Sequence, residues 1–225
     1  MKVSGLFTGR IEDRWPGRPP SAIGKQPAPG PQRLETLGFE MDAQADLTVH
    51  GGPDKAVHHY AGEHYAEWRA EFPQLADKFH PGGFGENIST EGMTEETLCI
   101  GDIFALGTAR VQISQGRQPC WKLNNHIGEK TMAARFQKTV RTGWYYRVLE
   151  AGTVEVGDEF TLLERLNPDW TLIRVIAARF NARLDPETAA TLARLPALAE
   201  GWRESFAKKC DASYVEDTAP RLVGS

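Results

Sequence analysis

Short runs of Val, Ile, Phe and Thr, separated by glycine and proline, fill the first 165 residues of the chain. β-Branched and aromatic residues favour strands, whereas glycine and proline favour the turns between them. The pattern predicts strands at 2–9, 56–60, 97–106, 109–114, 143–150 and 159–164. The runs "LCIGDIFAL" and "ARVQIS" are predicted to form a hairpin, because the Gly107 and Thr108 link can supply a positive φ. So many closely spaced strands indicate a β-barrel or a sandwich.

Two helices interrupt the strand pattern. Aromatic residues recur at helical spacing within 61–72, and Met132 and Phe136 lie four residues apart within 129–139. Segment 21–38 contains the proline-rich stretch "KQPAPGPQ" and is predicted to be an exposed loop.

The pattern changes after Arg165, where three helical segments follow one another: "NPDWTLIRVIAARF", "DPETAATLARLP" and "PALAEGWRESFAKKC". Each has an Asp or a Pro near its start, which suits a helix because Asp caps free N–H groups and Pro needs no partner in the first turn. We predict a β domain over 1–166 and a small three-helix subdomain over 167–225, with 212–225 frayed. The helical part is too small to hold a large core alone.

Composition and charge narrow the classes of function. The chain of 225 residues is 40% hydrophobic and has a formal net charge of −4, which gives no basic field for nucleic acid or an anionic membrane. Its apolar runs are shorter than the roughly 18 residues of a membrane span, and the start lacks an apolar leader. We therefore expect a cytoplasmic protein that binds neither nucleic acid nor membrane, and in which any anionic ligand meets a local basic pocket.

The chain has three cysteines, without a close pair: Cys99, Cys120 and Cys210. They indicate neither a disulfide framework nor a Cys-x-x-Cys zinc site. By residue type alone, such a cysteine is most often an inert hydrophobe in the core. Cys120 differs because Arg117 and Lys122 lie within three residues of it, and nearby cations favour a reactive or metal-binding sulfur.

Two glycine-bearing motifs lie upstream of Cys120. In "VHGGPDKAVHHY" the paired glycines allow close backbone approach to a ligand, and His50 could donate a hydrogen bond or move a proton; the alternative is an ordinary tight turn. His58 and His59 are adjacent on a predicted strand, so they should point to opposite faces. In "GGFGENIST", Glu86 and Asn87 could hold a polar ligand edge, or the turn could merely lead into a strand.

Taken in this order, "VHGGPDKAVHHY", "FGENIST" and "SQGRQPCWKLN" resemble the MOSC domain, which is named for the C-terminal domain of molybdenum cofactor sulfurase. The chain resembles most closely the YiiM-like bacterial subfamily, which carries a three-helix C-terminal appendix, and the resemblance covers nearly the full length. It implies a mainly β fold with α-helices, a MOSC-type β-barrel that binds a pterin-based molybdenum cofactor (molybdopterin). It also implies that Cys120 ligates the molybdenum.

The resemblance further implies an activity. Members of the family include reductases of N-hydroxylated compounds, such as N-hydroxylated purines and amidoximes, which convert N–OH to N–H in detoxification. We therefore predict a molybdenum-dependent oxidoreductase that receives electrons from a flavoprotein reductase, with a homodimer as one assembly that the sequence allows. Two alternatives stay open: a sulfur carrier that uses a Cys120 persulfide, and a carrier of the cofactor without catalysis.

The other site residues are predicted from their positions in the motifs. Because the cofactor carries a phosphate, an acidic chain needs local cations to bind it. The predicted cofactor-binding residues are Arg117, Lys122, Lys55, Asn87 and Asn124, and Lys25 lies in a loop that could close over the site. His50 is predicted to hydrogen-bond the cofactor or to donate a proton as the N–O bond breaks.

Overall fold

The computed structural model describes residues 1–45 and 51–224. Its strands are β1 Val3–Gly9, β2 Lys25–Pro27, β3 Gln32–Glu35, β4 Gly38–Phe39, β5 Val57–Ala61, β6 Ile88–Thr90, β7 Ile103–Leu106, β8 Ala109–Gly116, β9 Trp144–Glu150, β10 Gly152–Val154 and β11 Phe160–Glu164. Its helices are α1 His64–Glu71, α2 Trp121–Ile127, α3 Met132–Thr139, α4 Leu172–Phe180, α5 Pro186–Ala193, α6 Glu200–Lys209 and α7 Ala219–Val223. No helix in these described ranges is long and apolar enough to cross a membrane.

A curled sheet of eight strands, in the order β11-β7-β8-β9-β5-β6-β1-β2, forms the barrel-like body of the protein. Its pairings are antiparallel except for that of β5 with β6. The N–H of Val3 donates to the carbonyl of Asp158 at 2.8 Å, and the N–H of Phe160 donates to that of Met1 at 2.7 Å. These bonds join β1 to the start of β11, as expected for the predicted barrel. A smaller sheet has the order β10-β3-β4.

The strand predictions are partly correct. The β7–β8 hairpin is confirmed, with Leu106 opposite Ala109. The predicted strand at 97–106 is too long, since β7 begins at Ile103 and Cys99 makes only an isolated bridge. The prediction of a loop at 21–38 is wrong, because β2 pairs with β1 and β3 pairs with β10.

Helices α1, α2 and α3 enclose an aromatic cluster beside the barrel. Its members are Tyr60, Tyr65, Trp68, Phe72, Phe79, Phe84, Leu123, Ile127, Met132 and Phe136. The Phe84 and Phe136 rings meet edge to face with centroids 4.7 Å apart, a favourable geometry for aromatic pairs. The Tyr65 hydroxyl donates to the buried carboxylate of Glu86, which also accepts the Gly82 N–H at 2.6 Å. The cluster therefore fixes the glycine-rich turn that contains Phe84.

The helical appendix shares the barrel's hydrophobic core. Ile176 of α4 and Trp202 of α6 belong to the same buried cluster as the barrel residues. A Cβ atom on Gly116, at the end of β8, would lie 2.3 Å from Ile176 Cγ1 and 3.0 Å from Trp202 Cη2. The missing side chain at Gly116 lets both helices contact the strand directly.

The end of the chain returns to the barrel, and the prediction that 212–225 is frayed is wrong for the part that the structure describes. Glu216 forms an ion pair with Arg179, with Nη2 and Oε1 2.9 Å apart. Beyond it, α7 places Arg221 so that its guanidinium donates to the carbonyl of Pro119 at 2.6 Å. These contacts join residues far apart in the sequence, which a local pattern does not reveal.

Replacing Gly116 with valine should destabilise the protein by about 1–3 kcal/mol, the usual cost of overpacking a core. Gly201→Ala is the matched control, since an added Cβ there meets no atom within 4 Å. That change should be neutral or slightly stabilising, because alanine favours a helix over glycine. Urea denaturation measures both, and equal free energies of unfolding would contradict the close packing at Gly116.

His59 should make stability depend on pH. Its Nε2 lies 2.8 Å from Thr90 Oγ1, and burial lowers the pKa of His59 from 6.5 to about 3. The unfolded chain therefore binds a proton that the folded state rejects, so stability falls as the pH drops from 6.5 towards 3. At pH 5 the loss should be about 2 kcal/mol.

His59→Gln should remove this part of the pH dependence. Urea denaturation at pH 7 and pH 5 gives the difference in free energy of unfolding for each protein. A variant with the same difference as the wild type would contradict the assignment to His59.

Candidate functional site

A cleft with an empty volume of about 700 Å³, part of it open to solvent, lies beside Cys120. The predicted site residues that line it are Cys120, Arg117, Lys122, Lys55 and Asn87, together with Lys25. Its other polar residues include Asp42, His58, Gln118 and Tyr145. The three motifs that are separate in the sequence therefore meet at one cleft, which is how a fold usually assembles a ligand site.

Cys120 lies between a strand and a helix. Strand β8 ends at Gly116, and α2 begins at Trp121, directly after the cysteine. Cys120 has an extended backbone, with φ −135° and ψ 170°, and its carbonyl accepts the N–H of Leu123 at 2.9 Å. This short turn holds the half-buried thiol at the wall of the cleft.

Arg117 is 8% exposed and is held by neutral groups. One guanidinium nitrogen donates to the carbonyl of Phe84 at 2.7 Å, and the Arg117 N–H donates to the carbonyl of Gly143 at 3.0 Å. A carbonyl orients the guanidinium without cancelling its charge. Arg117 can therefore attract an anionic group into the cleft.

Lys122 and Lys55 add positive charge to the same cleft. The ammonium of Lys122 donates to the carbonyl of Pro20 at 3.1 Å. Lys55 ends a short 3-10 turn, in which Asp54 Oδ1 accepts from Arg147 Nε at 2.7 Å. With Arg117, these lysines provide the local basic pocket expected in a chain of negative net charge.

Lys25 and Asp42 form a buried ion pair in the cleft, each side chain being 6% exposed. Asp42 also accepts the N–H of Gly9 at 2.7 Å and the side-chain amide of Asn87 at 2.8 Å. Burial lowers the pKa of Lys25, while the neighbouring Asp42 opposes that shift. Because Asp42 balances the charge of Lys25, this lysine attracts an anion less strongly than the sequence suggested.

Asn87 lies in the cleft as predicted, but its side-chain amide is hydrogen-bonded to other residues of the protein. Its Oδ1 accepts the N–H of His58 at 3.1 Å, and its Nδ2 donates to the carbonyl of Phe7 at 3.2 Å as well as to Asp42. These bonds link β1 and β5 to the ion pair. Asn87 therefore shapes the cleft, with little bonding capacity left for a ligand.

Asn124 was predicted to contact the cofactor, but the structure places it outside the cleft. Its Nδ2 donates to the carbonyl of Leu222 at 2.9 Å, and its Oδ1 accepts the N–H of Ala133 at 2.7 Å. Helix α2 turns this side chain towards α3 and α7, away from the cleft. Asn124 thus joins three helices instead of lining the site.

His50 lies outside the described residues, so its role as a proton donor stays a prediction. Among the residues that the structure describes, His58 is the histidine that lines the cleft, whereas His59 faces Thr90 and Tyr146 inside the barrel. The opposite orientation of the two adjacent histidines is confirmed.

The imidazole of His58 is 3% exposed and lies against the ring of Tyr145, with centroids 4.9 Å apart. Burial, helped by the charge of Arg117, holds the pKa of His58 well below 6.5. Its Nε2 is buried without a hydrogen-bond partner among the described residues. His58 is therefore neutral at pH 7, and its unpartnered Nε2 is buried on the side of the ring near Gly143.

Several polar residues of the cleft were not predicted from the sequence, among them His58, Tyr145 and Asp42. The strand period places His58 and His59 on opposite faces but does not say which face meets a ligand. Tyr145 could have been found by the same alternation, because its neighbours Trp144 and Tyr146 are buried in the barrel core. No sequence pattern points to Asp42, since the residues that it binds, Gly9, Lys25 and Asn87, lie far from it in the sequence.

The comparisons with known proteins agree with this architecture. The family model of the MOSC domain matches residues 46–161. The chain belongs to the MOSC family. The model of the YiiM-like 3-alpha helix domain matches residues 170–210, as the resemblance implied. The MOSC match includes the cleft residues from Lys55 to Tyr145, while Lys25 and Asp42 precede it.

Two bacterial comparisons cover this MOSC protein almost completely. It is 38% identical over 219 residues to Protein YiiM of Escherichia coli (strain K12), with 97% of each chain covered. The crystal structure of YiiM from Escherichia coli superposes with a TM-score of 0.83 at 32% identity, covering 99% of this chain and 98% of that one. The predicted barrel with its three-helix appendix is thus confirmed.

A fungal relative bears a functional name. A protein of Gibberella moniliformis (strain M3125 / FGSC 7600) named "Reductase" is 42% identical over 163 residues. The match covers 71% of this chain but only 29% of the fungal protein. The shared region is therefore one part of a larger chain.

Asp42→Asn should destabilise this MOSC protein by about 3–5 kcal/mol, because it leaves the buried ammonium of Lys25 without its countercharge. Glu35→Gln is the matched control: its ion pair with Arg33 is exposed, so its loss should cost less than about 1 kcal/mol. Chemical denaturation at neutral pH compares the two variants. If Asp42→Asn cost no more than Glu35→Gln, the buried pair would not stabilise the cleft.

Proposed function

We propose that this MOSC protein is a molybdenum-cofactor-dependent reductase of N-hydroxylated compounds, converting N–OH to N–H with release of water. The observation that carries the proposal is the half-buried thiol of Cys120 in a cleft that also gathers Arg117, Lys122 and Lys55. The relative named "Reductase" supports a reductive activity. A flavoprotein reductase is the proposed electron donor.

The residues of the cleft fit such a cofactor chemically. Cys120 offers a soft sulfur ligand, which suits a metal that is already bound by sulfur. Arg117 and Lys122, held by carbonyls, offer positive charge for a phosphate group.

When bound, the cofactor would supply the two-electron redox chemistry. Cys120 would hold the metal through its sulfur, and Arg117, Lys122 and Lys55 would hold the phosphate. The reduction consumes two electrons and two protons and releases one water molecule. Because His58 is neutral at pH 7, it would give or accept a hydrogen bond near the substrate but would not act as a proton donor. His50 is the proposed proton donor.

Cys120→Ser should remove both molybdenum and activity while the fold persists. The protein is expressed in a host that makes the cofactor, and elemental analysis is paired with an assay of N-hydroxylated purine reduction. Loss of the sulfur ligand should lower activity by roughly 100-fold or more. Mutation of a residue that only hydrogen-bonds to a metal ligand already lowers metal affinity or activity by about 10–100-fold. Cys210→Ser is the control, because Cys210 is exposed in the appendix.

Three results would contradict the proposal in different ways. Full molybdenum content in Cys120→Ser would exclude the sulfur as an essential ligand. Tight cofactor binding without turnover of any N-hydroxylated compound would favour a carrier. A mass gain of about 32 Da on Cys120 after incubation with a desulfurase, in a preparation without reductase activity, would favour a persulfide carrier.

A further inference from the structure

The last helix of the chain contacts the turn that carries Cys120. One guanidinium nitrogen of Arg221 donates to the carbonyl of Pro119 at 2.6 Å, and the other donates to Oε1 of Gln137 at 2.8 Å. Pro119 is bonded directly to Cys120. Because a proline has no N–H, its carbonyl is the one backbone group through which hydrogen bonding can hold this residue.

Arg221 is enclosed by charged and aromatic groups. Its guanidinium carbon lies 5.9 Å from the centroid of the Phe180 ring, at the end of α4. Burial lowers the pKa of Arg221, whereas the charge of Glu216 opposes that shift, and Cys120 is close enough to interact electrostatically. The planar fork of an arginine can hold two acceptors in one fixed geometry.

Further contacts hold the tail against the residue that follows Cys120. The carbonyl of Gly224 accepts from Arg18 Nη1 at 2.8 Å. A Cβ on Gly224 would lie 2.6 Å from Trp121 Cγ, so the backbone packs closely on this indole. The guanidinium of Arg18 lies 5.1 Å from the centroid of the same indole. The tail thus contacts both neighbours of Cys120 in the sequence.

Helix α7 depends on these contacts for its position. It spans only Ala219–Val223, and an isolated helix of that length is unstable in water. The ion pair of Glu216 with Arg179 fixes the preceding segment to α4, and Arg221 fixes α7 to the cysteine turn. The tail therefore contacts both the appendix, through α4, and the turn at the cleft that carries Cys120.

We propose that Arg221 is a positioning residue for Cys120: its bond to the Pro119 carbonyl sets the backbone of the turn and thereby the place of the sulfur at the cleft. The helical appendix acts on the cleft through this bond. The importance of this position for turnover rests on the proposed function, whereas the effect on the turn does not.

Three variants test the role of Arg221. Arg221→Gln removes the charge and the fork, and Arg221→Lys keeps the charge but cannot hold both acceptors. Arg174→Gln is the matched control, since Arg174 also donates to a carbonyl, that of Asp169 at 2.7 Å, and lies 4.2 Å from the centroid of the Trp170 ring. It does so outside the cleft lining.

Two measurements on cofactor-free protein report on the turn. Hydrogen exchange followed by mass spectrometry measures how fast the backbone amides of the 117–127 peptide exchange, and therefore how often this segment opens. Alkylation by a neutral reagent gives the reactivity of Cys120 relative to Cys210, which is exposed and serves as the internal reference.

In Arg221→Gln, the 117–127 peptide should exchange roughly tenfold faster, because charged hydrogen bonds that restrain the turn are lost. The alkylation ratio of Cys120 to Cys210 should rise by a similar factor of about ten. The exchange and alkylation rates of Arg221→Lys should lie between those of Arg221→Gln and those of the wild type. In Arg221→Gln, the exchange of the β8 and β9 peptides and the melting temperature should match those of Arg174→Gln.

Two outcomes would overturn the proposal. Exchange and alkylation in Arg221→Gln equal to those of Arg174→Gln would mean that Arg221 does not position the turn. Faster exchange of all peptides together would mean a general loss of stability, without a specific effect on Cys120. Both measurements are independent of molybdenum, so their failure is distinguishable from failure of the proposed reductase function.

Discussion

The missing side chain at Gly116 is the constraint on which the arrangement of this MOSC protein depends. Any Cβ there would overlap Ile176, so only glycine lets the appendix helices reach the strand. Gly116 is also the last residue of β8, directly before the turn that leads to Cys120. The same position therefore closes the hydrophobic core and sets where the cysteine turn leaves the barrel.

Local patterns predicted the elements that carry a clear strand or hairpin signal, including β1 and β5, whose partners lie far away in the sequence. The β7–β8 hairpin was correct because its link and both its strands lie within one short stretch. Strands β2 and β3 were missed because proline argues against a strand, and only pairing with β1 and β10 stabilises them. Proline is tolerated in β2, since this strand lies at the edge of its sheet. Tertiary contact therefore decided these elements, and local propensity did not.

The same distinction explains which site residues were predicted. Arg117, Cys120 and Lys122 lie within six consecutive residues, so their proximity follows from the chain itself. Asn87 was placed correctly, but its bonds to Phe7 and Asp42 are long-range, and they reserve its amide for the protein. For the same reason the pairing that balances Lys25 was invisible in the sequence.

The charge balance of the cleft limits what it can bind. The carboxylate of Asp42 is already bound to Lys25, Gly9 and Asn87, so it is poorly placed to ligate a metal as well. Arg117 and Lys122, in contrast, bind carbonyls and keep their positive charge. A ligand that suits the cleft therefore brings negative charge for these cations and a soft partner for the Cys120 sulfur. A phosphate-bearing, sulfur-bound metal group combines both properties. A simple hard cation would instead be repelled by the cations of the cleft, and the soft sulfur of Cys120 would bind it only weakly.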